Sequence, residues 1–205
     1  MEKLTVFGPE FFPTAPDREE IFSWLACPED LACRPAFVQA WDEAERLLRE
    51  AARPQAVIVR ENEDTVTVFL TLGTLMEPAV AELFRQERYV AASLLNTMSD
   101  ELLFQMDRRS VTLLNSLLSR EQLYISARHE PGTETLDAFP AGRFEPIRAV
   151  CPWASLSPSG VIDPVKSMLY GVTLSEHACG FTALHDCSRC SQKDCPYRDA
   201  RCRCE

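Results

Sequence analysis

The sequence predicts an α+β domain, a sheet of four to six strands against long helices, followed by a cysteine-rich C-terminal tail. Three observations carry this. Phe37, Ala40, Trp41, Ala44, Leu47 and Leu48 recur at spacings of three and four, as on one face of a helix. The runs at 56–59 and 65–70 are rich in β-branched residues. Six of the nine cysteines, Cys179, Cys187, Cys190, Cys195, Cys202 and Cys204, fall at or after position 179. The chain therefore divides into a main domain over residues 1–180 and a tail over residues 181–205.

In order along the chain, residues 3–7 read as a short strand, and Pro9, Pro13 and Pro16 break it into a loop. Asp17 is a helix N-cap, with Glu20 three residues on in a capping-box pattern ahead of Ile21, Phe22, Trp24 and Leu25. A helix follows from Pro35 to Ala52. After Pro54 the two β-branched runs, separated by the polar residues 61–64, read as an antiparallel pair that Gly73 ends. Helices are expected over 78–86 and 88–118, the second either continuous or broken near Arg109. Leu94, Leu95, Met98, Leu102, Met106, Leu113, Leu114 and Leu117 form its apolar stripe, which is core rather than a cofactor contact. Residues 123–126 read as a strand, no helix of usual length fits between Pro131 and Pro152, and late strands are expected at 154–156, 160–162 and 167–173.

The 205 residues carry 21 Lys plus Arg against 31 Asp plus Glu, a formal charge of -10. Such a surface repels phosphate backbones and anionic membranes, so neither nucleic acid nor membrane is an expected partner. The N-terminus shows no charged region leading into an apolar run, and no segment approaches the roughly 20 apolar residues of a membrane span. A cytoplasmic location is expected, and there an odd number of clustered thiols points to metal rather than disulfides.

Cys187, Cys190 and Cys195 form C-x2-C-x4-C, followed by Pro196. Two intervening residues let a tight turn aim both sulfurs at one ion, and the third thiolate arrives from the next loop. Tetrahedral thiolate sites suit zinc or an iron-sulfur cluster. The fourth ligand is open among Cys202, Cys204, Cys179 and His185, with Cys202 the expected one. Cys27 and Cys33 read as free thiols, and His129 and His177 as surface or hydrogen-bonded residues. G-x-S-x-G, G-x-x-x-x-G-K-S/T and G-x-G-x-x-G are all absent from the sequence, so esterase and nucleotide-loop chemistry have no support.

Several segments in order resemble the activation domain of cobalamin-dependent methionine synthase in its short stand-alone form: residues 69–73, residues 91–98, Arg128-His129-Glu130-Pro131-Gly132, residues 156–167, and the C-x2-C-x4-C tail with Tyr197-Arg198. The resemblance covers roughly residues 17–198. It implies a twisted antiparallel sheet with long helices. It also implies a role in returning oxidised cobalamin, carried by a partner corrinoid protein or methyltransferase, to its methylated state. S-adenosylmethionine would donate the methyl group, and the tail would hold an iron-sulfur cluster.

In the family's R-x-x-P-G-Y loop, here Arg128, Pro131 and Gly132, the resemblance puts Arg128 on the ligand carboxylate and the backbone near Glu130 on its amino group. Thr133 stands in place of the loop Tyr, Asn96 in place of an Asp on the long helix, and Phe104 or Gln105 where the family has a Glu. These departures favour a second reading, a non-catalytic interaction module whose tail is ordered by structural zinc. In that reading Arg128 is a surface residue pairing with Glu130 or Glu134. Lys166 and Ser167 read as closing a strand turn. Whether the chain is an enzyme in its own right is left open.

Overall fold

The computed structural model of the chain describes residues 3–25, 29–32, 34–130, 141–157 and 161–178. The first half runs β1 (Leu4–Phe7), α1 (Arg18–Trp24), α2 (Glu29–Ala32), α3 (Pro35–Ala51), β2 (Gln55–Arg60) and β3 (Thr65–Thr71). The second half runs α4 (Met76–Arg85), α5 (Tyr89–Leu118), β4 (Tyr124–His129), α6 (Glu145–Val150), β5 (Ser155–Leu156), β6 (Ile162–Asp163) and β7 (Ser167–Ser175). Five strands form one sheet in the order β1-β2-β3-β7-β4, with every neighbouring pair antiparallel. The expected α+β class is observed.

The sheet is buried on both faces, which is why β2 and β3 read as continuous apolar runs rather than alternating ones. Ala56, Ile58, Val66, Val68, Leu70, Tyr170, Val172 and Leu174 belong to the larger core with residues of α3, α4 and α5, among them Trp41, Leu48, Leu83, Leu95, Met98 and Met106. Val57, Val59, Phe69 and Leu169 point the other way, onto Phe144, Ile147, Cys151 and Ala154. Phe69 meets Phe144 edge to face at 5.8 Å. The six-residue α6 therefore covers the second face from within the stretch where no ordinary helix was expected.

α5 is continuous for 30 residues. Arg109 does not break it; its Nε donates to the Phe11 carbonyl at 3.3 Å, tying the N-terminal segment to the helix. Two of the late strands, β5 and β6, pair with each other as a separate ribbon instead of joining the sheet. Asp17 caps α1 as expected, its Oδ1 accepting from the Glu19 and Glu20 amides at 2.9 and 3.2 Å. The Asp17 amide itself donates to Glu101 Oε2 on α5 at 2.8 Å, so the carboxylate that meets it comes from 84 residues away. Asp17→Ala is expected to lower the unfolding free energy by about 1 kcal/mol in urea titration.

Among the described residues no helix is long and apolar enough to cross a membrane. Cys27, Cys33, Pro131, Gly132, Thr133 and Glu134 lie outside the described residues, as do Cys179, His185, Cys187, Cys190, Cys195, Cys202 and Cys204.

Candidate functional site

Arg128 owes its position to a bulge. Ile125 pairs with Leu174, but Ala127 pairs with Thr173, so one extra residue, Ser126, is accommodated in β4. The Ser126 hydroxyl donates to the Thr173 carbonyl at 3.1 Å. Strict alternation from the core residue Ile125 would put Arg128 on the opposite face of the sheet. The bulge restores it to the α5 side, opposite Val172. His129 then takes the other face, opposite Gly171, with its Nε2 2.9 Å from Thr173 Oγ1.

On the helix side Arg128 is enclosed. Its side chain is only 3% exposed. Nη1 donates to both oxygens of Asp107 at 3.0 and 2.9 Å, and Nη2 lies 2.7 Å from Glu130 Oε1. The guanidinium carbon sits 3.7 Å from the centre of the Tyr170 ring. Burial alone would lower the Arg128 pKa, but the negative charge of Asp107 and Glu130 outweighs it and raises the value, so the residue stays cationic. Burial, then the Asp107 charge, pushes the Tyr170 phenol well above its ordinary value and keeps it neutral. The cluster of Arg128, Asp107 and Glu130 thus holds one cation between two carboxylates.

Asp107 is one of two acids set seven residues apart on α5, a spacing of about two turns that puts both on the same side. The other, Asp100, accepts from Lys166 Nζ at 2.6 Å, and the same ammonium reaches the Asn96 carbonyl at 3.3 Å. Lys166 does help to close the entry to β7, since its carbonyl accepts from the Leu72 amide at 3.0 Å and the Ser167 hydroxyl donates to Thr71 Oγ1 at 2.9 Å. Its side chain also clamps that entry onto α5.

Phe104 and Gln105, which stand where the resemblance would have a Glu, are both engaged within the fold. Phe104 stacks edge to face on Trp24 at 5.4 Å, and Gln105 donates to Glu101 Oε2 at 2.6 Å. Asp107 is the α5 carboxylate that the fold brings to Arg128. Asp107, Asp100 and Tyr170 were not singled out from sequence. The signal for the first two was an acid interrupting an apolar stripe, while Tyr170 had none.

Glu101 is fully buried and accepts from the Asp17 amide, Gln105 and, at 3.3 Å, Arg108. Burial raises its carboxyl above the ordinary value of 4.5, against the lowering effect of those three donors. Folding therefore favours the protonated form relative to the unfolded chain. The stability this contributes is present below the unfolded value and is lost as pH rises through the folded one. The stability of wild type minus that of Glu101→Gln is expected to fall with pH across that interval and to be flat above it, as read from urea midpoints at a series of pH values.

On another side of α5, Pro13, Asp17, Gln105, Arg108, Arg109 and Thr112 line an open hollow of about 400 Å³ that does not include Arg128. No cluster of three metal-ligating side chains occurs among the described residues.

No family model matches the sequence, and no curated protein matches it. Among solved structures the chain is similar to the crystal structure of the MetH reactivation domain bound to AdoHcy, with a TM-score of 0.53 and 12% identity over 91% of this chain and 83% of that one. At that identity the similarity is one of fold. The chain has the fold of the MetH reactivation domain.

Proposed function

We propose that the protein is an accessory factor in the reductive reactivation of a corrinoid methyltransferase, acting in the cytoplasm on a partner that carries the cobalamin. Its main domain takes S-adenosylmethionine beside Arg128, and Cys187, Cys190, Cys195 and Cys202 hold an iron-sulfur cluster. The observation that carries this reading is the fold shared over 91% of the chain with a domain that was crystallised with AdoHcy, the demethylated form of that methyl donor.

The residues fit such a ligand in part. A guanidinium fork matches a carboxylate, and the backbone near Glu130, two residues on from Arg128, is assigned to the ligand amino group. A cluster on the four thiolates would supply single electrons, and the protein's own part is to bind the methyl donor and to present it to the partner. The charge of -10 fits a protein partner with a basic docking face, and neither nucleic acid nor membrane.

One observation favours the second reading, a non-catalytic interaction module with a structural zinc tail. Both outer nitrogens of Arg128 are already engaged by the chain's own carboxylates. Anaerobic purification separates the two. A brown protein containing iron and acid-labile sulfide, co-eluting with a corrinoid protein, is expected. A colourless, zinc-containing protein that ignores the corrinoid protein would establish the module reading.

A further inference from the structure

Arg128 carries two carboxylates of unequal standing. Asp107 comes from the middle of α5, a 30-residue helix packed along the core, and takes both Nη1 contacts. Glu130 follows the last residue of β4 and takes the Nη2 edge at 2.7 Å, with its side chain 16% exposed against 7% for Asp107. The Tyr170 ring lies against the guanidinium at 3.7 Å, which leaves the edges as the places for anions.

We infer that Glu130 is an internal stand-in for a ligand carboxylate: it occupies the Nη2 edge of Arg128 that a carboxylate-bearing ligand takes, and such a ligand binds by displacing it. This rests on the assignment of the Arg128 region to an S-adenosyl amino acid.

Three physical points support displacement. A guanidinium buried this deeply is strongly destabilised when one side loses its partner, so the empty site needs a carboxylate on Nη2. Asp107 is held by its helix and is not the exchangeable one. A third carboxylate added without the departure of Glu130 would crowd three anions around one cation, and like charges at such distances repel strongly. The exchange of one carboxylate for another gains little, so in the wild type the ligand carboxylate contributes little to affinity and Glu130 sets how much.

The test is calorimetric titration of wild type and Glu130→Gln with S-adenosylhomocysteine and with 5′-methylthioadenosine, a thioether nucleoside that lacks the carboxylate. With a neutral amide at position 130 the ligand carboxylate meets Arg128 uncontested. S-adenosylhomocysteine is expected to bind Glu130→Gln about tenfold or more tightly than it binds wild type. The affinity for 5′-methylthioadenosine is expected to change by less than about twofold.

Equal or weaker binding of S-adenosylhomocysteine by the variant, with 5′-methylthioadenosine unaffected, overturns the displacement while leaving the site assignment in place. Failure of both ligands to bind either folded protein removes the site assignment, and the displacement with it. Thermal melts of Glu130→Gln and of Glu130→Ala establish that the protein titrated is folded.

Discussion

Asp107→Ala is expected to lower the unfolding free energy by about 3–5 kcal/mol, because it leaves a deeply buried guanidinium with Glu130 on one edge and no anion on the other. The loss should exceed what the surface pairs on the same protein produce. Arg46 with Glu50, for example, is more than half exposed on both sides and is worth under about 1 kcal/mol. Arg128→Ala strands the reverse charge, with Asp107 and Glu130 facing each other across the vacated space. The double variant Asp107→Ala/Arg128→Ala is expected to lose less than the sum of the two singles by about 2 kcal/mol, since each single change leaves an ion that the other would remove. Urea unfolding of the four proteins reads this coupling, and additive losses would mean that the pair does not act as a unit.

Insertion of one residue after Ser126 is expected to cost about 3 kcal/mol or more. The bulge accommodates one extra residue in β4; with a second, alternation along β7 inverts one of the two core-side assignments. Either Ile125, 4% exposed, turns out of the larger core, or Arg128 turns away from Asp107. The first loses the burial of a large aliphatic side chain and opens a cavity; the second strands a buried carboxylate. Deletion of Ser126 leaves Ile125 and Arg128 two residues apart and so on the same face, and removes the hydroxyl bond to Thr173, so its loss should stay near about 1 kcal/mol. An insertion variant as stable as the deletion variant would mean that the residue count in β4 does not determine which face Arg128 uses.

These two positions also mark where sequence reading stops. The helix of α3, the β2–β3 pair and the Asp17 cap are legible because their signals are local: an apolar repeat of three to four, β-branched runs around a polar turn, and an acid just before an apolar helix. The bulge at Ser126 is not local. It is a property of how β4 pairs with β7, and counting along β4 alone sends Arg128 to the opposite face. Pairing of Arg128 with Glu130 is one of the readings available from sequence, and the contact is present, but between a buried guanidinium and a half-buried carboxylate rather than at the surface.

The acids of α5 were hidden by their own surroundings. Asp100 and Asp107 lie among leucines and methionines that declare a core, and their cations arrive from 66 and 21 residues further along the chain. The same holds for Glu101, which meets the Asp17 amide from a distant helix. The two late strands β5 and β6 were legible as strands, but not as a ribbon apart from the sheet, because the partner of a two-residue strand is set by tertiary packing. The C-x2-C-x4-C of the tail is legible at once from its spacing, and Cys187, Cys190, Cys195 and Cys202 lie outside the described residues.

Calorimetric titration of the full chain with S-adenosylmethionine bears most directly on what the Arg128 cluster is for. Saturable one-to-one binding with a Kd on the order of micromolar is expected for wild type. In the Glu130→Gln background, where the ligand carboxylate meets Arg128 uncontested, Arg128→Lys keeps the charge but removes the fork and is expected to weaken binding about tenfold or more. A folded wild-type protein that gives no saturable binding at ligand concentrations of about 1 mM would contradict the assignment of this fold, in this chain, to an S-adenosyl ligand.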